Sequence, residues 1–91
     1  MLDYSFFANR LQESFQVGDG PILVKVDNCE KLTAYPGGVA EPFSVQFLGP
    51  MDPVLPQQIH TLSSQATGAF AIFLVPISRD ASGVRYEAVF N

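Results

Sequence analysis

Several things are scarce in this sequence. There is one cysteine, Cys29, so no disulfide forms within the chain. Small domains of oxidising compartments commonly carry several bridges, and a reducing, cytoplasmic setting is the expectation. There is no tryptophan, one histidine, and only 15% charged residues, against about 25% in ordinary globular domains. Five Lys and Arg oppose nine Asp and Glu, a net charge of −4. The basic residues Arg10, Lys25, Lys31, Arg79 and Arg85 are scattered singly. Nucleic-acid binding requires a basic footprint that displaces counterions from phosphates, so it is not expected, and an anionic membrane surface is disfavoured on the same ground. The longest apolar stretch, Ala69 to Ile77, has nine residues, where a membrane helix needs about 20. The first residues, Met1-Leu2-Asp3-Tyr4, lack the basic start and small-residue cleavage site of a signal peptide.

What the chain does have is enough to fold. Its 91 residues are 47% apolar and 12% aromatic, all Phe and Tyr. That composition excludes intrinsic disorder and supports one domain over residues 1–91 with one modest core. The low charge leaves much of the surface neutral, and neutral surfaces often meet a partner.

One segment reads as a helix, about residues 4–13. Tyr4, Phe7, Ala8 and Leu11 recur at i, i+3, i+4 and i+7, with Phe6 beside the stripe and Asp3 placed to cap the first turn. Beyond it the period becomes two. Asp19-Gly20 is a turn dipeptide between Phe15-Gln16-Val17 and a run in which Ile22, Val24 and Val26 share a face, so a hairpin is expected. Phe43-Ser44-Val45-Gln46-Phe47 alternates, with the Phe and Val side chains inward and Ser44 and Gln46 outward. Strands are expected at about 14–17, 22–32, 42–48, 57–63, 68–77 and 83–90. The run Ala69 to Val75 is apolar on both faces, which suits a strand covered on both sides, with the helix as the second cover. The fold class is mainly β with one N-terminal helix: about six antiparallel strands, meandering, that form a small barrel or a sandwich.

The chemistry-bearing residues are sparse. His60 with Cys29 or a serine, and Asp52 or Asp80 as orienter, has no spacing that makes a catalytic triad; His60 reads as a half-exposed strand residue. Cys29 has one lysine two positions away, weak activation for a thiol, and reads as a small hydrophobe. One His and one Cys 31 positions apart show no metal-ligand spacing. Gly18-Asp19-Gly20 lacks the alternating ligands of a calcium loop, and Pro36-Gly37-Gly38 lacks the Lys and Ser/Thr of a phosphate loop. No enzyme activity, metal or cofactor is expected. The oddest stretch is Gly49 to Gln57, where Pro50, Pro53 and Pro56 recur every third residue as in polyproline II. It reads either as a docking ligand or as a stiff crossover with Val54 and Leu55 tucked onto the core; exposed Met51, Val54 and Leu55 would favour contact.

Several of these segments resemble a known family. Pro42-Phe43-Ser44-Val45-Gln46-Phe47-Leu48-Gly49-Pro50, Leu55-Pro56-Gln57, Ile59-His60-Thr61-Leu62, Phe73-Leu74-Val75-Pro76 and Tyr86-Glu87-Ala88-Val89-Phe90-Asn91 are together similar to small bacterial proteins of the domain-of-unknown-function family DUF6916. The helix near Phe6 to Leu11 also fits, so the resemblance spans nearly the whole chain. Its motifs are structural and imply no catalytic residue. It implies an association with phage-tail-like, surface-appendage or mobile-element systems.

Two functions follow as expectations. The first is a non-enzymatic binding or assembly module with a protein partner or self-association, using strand edges that an unclosed sheet would leave free; Phe90, if exposed, would add to such a surface. The second is a small-molecule carrier with an aromatic-lined cavity, which a cavity under about 300 Å³ would argue against. Candidate contact residues are Met51, Val54 and Leu55 in the proline stretch, with His60, Arg85 and Tyr86 as polar contacts.

Overall fold

A computed structural model describes residues 2–38 and 41–91. The helix α1 spans Tyr4–Ala8, and six strands follow: β1 Ser14–Val17, β2 Leu23–Lys31, β3 Phe43–Gly49, β4 Gln58–Ser64, β5 Gly68–Asp80 and β6 Gly83–Phe90. All neighbouring strands are antiparallel. The order β1-β2-β3-β6-β5-β4 returns to β1, so the sheet closes on itself. The expected meander is therefore two three-stranded meanders, β1–β3 and β4–β6. They are joined along β3–β6, where Phe43 opposes Phe90 and Gly49 opposes Val84, and along β1–β4, where Val17 opposes Leu62.

Closure overturns the expectation of free strand edges. Each strand has a neighbour on both sides along part of its length. The longest, β5, pairs with β4 through Gly68 to Leu74 and with β6 from Val75 to Asp80. Its second half carries Pro76, a register shift between Pro76 and Ser78, and the charged Arg79 and Asp80. Proline, bulge and charge are the devices that stop an edge from accepting another strand.

The helix is shorter than its sequence periodicity predicts. Asp3 Oδ1 accepts the Phe6 N–H at 2.8 Å, the expected cap. The helix ends at Asn9, and Gln12 then takes φ +72°, which turns the chain away. Gln12 N–H donates to Val26 O at 2.7 Å and Val26 N–H to Glu13 O at 3.0 Å. Residues 12 and 13 thus extend β1 toward β2 instead of extending the helix; two inter-strand bonds outweigh the weak propensity of a single isolated turn. Leu11 consequently leaves the apolar stripe and is exposed.

The interior is filled by side chains. Phe7, Phe15, Phe47, Leu62, Leu74 and Tyr86 are completely buried. Phe7 reaches from α1 to within 6.2 Å of the ring centres of Phe43, Phe47, Phe70 and Phe90. The register places the start of β3, the start of β5 and the end of β6 at this end, so the helix plugs it. Phe43 and Phe90 stack at 4.5 Å with their planes 10° apart. Phe90 is therefore half-buried in packing and is not an exposed terminal contact. Ser44, expected outward, is buried on β3 between β2 and β6.

Candidate functional site

The Gly49–Gln57 stretch joins the two meanders across the end of the barrel opposite the helix. Its path is held by two polar contacts. Leu55 N–H donates to the Tyr86 hydroxyl at 2.8 Å, and His60 Nε2 lies 2.8 Å from Pro56 O. Leu55 is buried against the core while Met51 and Val54 are exposed. The stretch is thus a pinned crossover with two apolar side chains outward.

The six candidate contact residues consequently divide. Met51 and Val54 are at the surface; Leu55 and Tyr86 lie inside, and the Tyr86 hydroxyl is spent on the crossover. His60 is not half-exposed but buried, its ring on the inner face of β4 beside Leu62. Burial of the ring is tolerable because one ring nitrogen has a carbonyl partner. Arg85 is half-buried on the outer face of β6, where its guanidinium forms an ion pair with Asp27 of β2, across the intervening β3. Met51 and Val54 therefore belong to the surface, and Leu55, His60 and Tyr86 to the mechanics that position them.

Cys29, half-buried on β2, points its thiol toward Tyr4 O at 3.8 Å. Burial pushes the thiol above its ordinary pKa of 9.0, the opposite of the shift a reactive nucleophile needs. A groove of about 270 Å³ lies between the helix start and the β2–β3 connection, lined by residues that include Asp3, Tyr4, Lys31, Glu41 and Pro42. It is outside the barrel and carries both signs of charge. Seven of the eight phenylalanines belong to the core or pack on it, so the phenylalanines that suggested a carrier mostly fill the interior.

The eighth, Phe73, marks a surface that the candidate list missed. The β5 run is apolar on both faces, as expected, but the helix does not cover its second face. Ile72 and Leu74 point inward, and Phe73 is 48% exposed. Directly opposite on β4 stands Ile59, 66% exposed. Ala69, Ala71 and Thr61 share this outer face, and Ile77, also exposed, follows at the β5 register shift. β4 has no Asp, Glu, Lys or Arg, and β5 has none before Arg79. The result is an uncharged apolar strip on a chain of net charge −4. One signal was in the sequence: Ile59 is out of phase with Leu62.

No helix is long and apolar enough to cross a membrane among the described residues. No curated protein and no solved structure matches the chain. A family model does match, described as a domain of unknown function and covering residues 2–90. The chain belongs to the DUF6916 family.

Proposed function

We propose that this protein is a non-enzymatic contact module whose docking surface is the outer strip of β4 and β5. The observation that carries this reading is the cross-strand pair Ile59 and Phe73, both large, apolar and exposed, where β4 and the paired half of β5 carry no charge. Large contiguous apolar patches on small soluble domains mark interaction surfaces, and aromatic side chains dominate the energy of such contacts. The filled interior favours this reading over a carrier. The role in assembly fits the phage-tail-like or mobile-element setting that the family resemblance implies.

The test is photo-crosslinking in living cells. A photoreactive phenylalanine at position 73 is expected to give adducts of discrete mass, and one at Glu30, exposed on β2, is expected to give none. Equal labelling at both positions, or none at 73, contradicts the proposal.

A further inference from the structure

We infer that a notch in the barrel wall between β5 and β6 binds an extended, uncharged segment of a partner protein by strand addition. The inference goes beyond the apolar strip, because it rests on backbone groups and not on side chains. Closure is complete strand by strand but not residue by residue. β5 and β6 pair from Asp80 and Gly83 up to Val75 and Glu87, and no further. Past that point β6 continues to Phe90 on β3, and β5 reaches back to Gly68 on β4. The two strands therefore diverge toward the helix end of the barrel. Phe7 accounts for the divergence. Its ring packs on both arms, with its centre 6.1 Å from that of Phe70 on β5 and 5.8 Å from that of Phe90 on β6.

One hydrogen bond fixes the direction of the free groups. Thr61 O accepts from Gly18 N–H at 2.8 Å, so the polar groups of Thr61 on β4 face β1. In antiparallel pairs, bonded and non-bonded residues alternate. Thr61 opposes Ala71, Ile59 opposes Phe73 and Ser63 opposes Ala69. Ala69, Ala71 and Phe73 therefore turn N–H and C=O away from β4, into the notch. Val89, two residues beyond Glu87 on β6, faces them from the other side. All four residues are exposed, so water satisfies these groups in the free chain. No strand among the described residues occupies the notch.

An unpaired edge specifies its occupant as apolar side chains do not: a row of alternating donors and acceptors is matched by another extended backbone. The second half of β5 carries Pro76, a register shift and charge, which refuse such a strand. From Gly68 to Leu74 there is no proline and no charge. The notch also selects the source of the strand. β6 flanks it, so a single unpaired segment can enter, whereas the edge of a second barrel would drive its own neighbouring strand into β6. Phe73 and Val89 stand at the mouth, the rings of Phe70 and Phe90 line the inner side, and Glu87 marks the closed end. The entering segment is accordingly uncharged on both faces. The edge runs only from Ala69 to Phe73, so the affinity is low.

Amide hydrogen exchange of the purified chain, read residue by residue, tests the notch. Without any partner, the amides of Ala69, Ala71 and Phe73 are expected to exchange about a hundredfold or more faster than those of Phe70, Ile72 and Leu74, which bond to β4. Equal protection of the two sets overturns the inference. The probe is a capped peptide of about six alternating Thr and Val residues. At about 1 mM it should slow the three exposed amides and that of Val89, and leave the β2 amides unchanged. A probe that leaves the three amides unaltered overturns the inference. The same peptide with its edge-facing nitrogens methylated should bind at least tenfold more weakly; equal binding would mean that side chains make the contact, which overturns strand addition and leaves the apolar strip standing. Ala71→Pro removes one donor from the notch and none from the β4 ladder, so the fold should survive and the probe should be lost. If that variant fails to fold, the methylated probe makes the same test from the other partner. Protection of the three amides that grows with protein concentration alone would put a second copy in the notch and overturn the separate partner. Crosslinks from position 73 in cells, with amides that ignore the probe, would overturn the notch and leave the strip as the contact surface.

Discussion

The hydroxyl of Tyr86 accepts a hydrogen bond from the backbone N–H of Leu55 at 2.8 Å, inside the barrel and 31 residues away along the chain. This bond ties the crossover between the two meanders to the centre of β6. Tyr86→Phe keeps the ring and removes the acceptor, leaving a buried N–H without a partner, which costs about 1–3 kcal/mol. The melting temperature is expected to fall by about 4 °C or more. In hydrogen exchange the Leu55 amide should lose protection more than the amides of β3. An unchanged Leu55 exchange rate would show that the bond does not hold the crossover.

Gly83 opens β6 at φ +132°, and a Cβ there would lie 2.1 Å from Gly49 O. The obstruction is backbone, which cannot rotate away. Gly83→Ala is expected to destabilise the fold by more than about 3 kcal/mol, from the strained dihedral and the clash together. Gly18→Ala is the control: its φ of +56° is also strained, but a Cβ there meets nothing within 4 Å, so it should cost clearly less. Urea unfolding of both variants makes the comparison.

Asp27 and Arg85 form an ion pair on the outer face, each side chain a little over a quarter exposed. Such a pair is worth about 1 kcal/mol or less when partly solvated. A double-mutant cycle with Asp27→Asn and Arg85→Gln should give a coupling of that size. Raising the salt to about 1 M, where the screening length is about 3 Å, should shrink it. A coupling insensitive to salt would mean that the residues interact through packing instead.

Cys29 titrates above 9.0 because burial penalises its thiolate. The folded chain resists ionisation, whereas the unfolded chain ionises at the ordinary value. The contribution to stability is therefore intact below pH 9 and falls as the pH rises from the unfolded toward the folded pKa. Alkylation by iodoacetamide, followed against pH, should show its midpoint above 9.0 in the folded protein and drop to the ordinary value in denaturant. A folded midpoint below 9.0 would identify an activated thiol.

Local pattern made much of the fold legible. The alternation in Phe43–Phe47 and in Val84–Phe90 marks two strands that do pair in register, and Asp19-Gly20 marks a hairpin that does form. Long-range choices were less visible. The pairing of Val26 with Gln12 and Glu13 shortened the helix, and nothing local announces a partner 14 residues away. Closure through Val17 and Leu62 joins residues 45 apart and leaves no fully unpaired strand edge. The polar candidates are placed by the same long-range contacts. His60, Arg85 and Tyr86 drew attention as polar chemistry, but a small closed barrel spends such groups on its own loops and ion pairs. Phe73, in a run read as covered by the helix, and Ile59 opposite it are left exposed by the described residues.

Covalent footprinting by a carbene probe, compared between living cells and dilute purified protein, tests the contact strip most directly. Ile59 and Phe73 should label strongly in dilute solution and be protected in cells. Leu23, 53% exposed on β2, should label equally in both. Equal labelling of Phe73 in the two settings would contradict the account, because the strip would then meet only water.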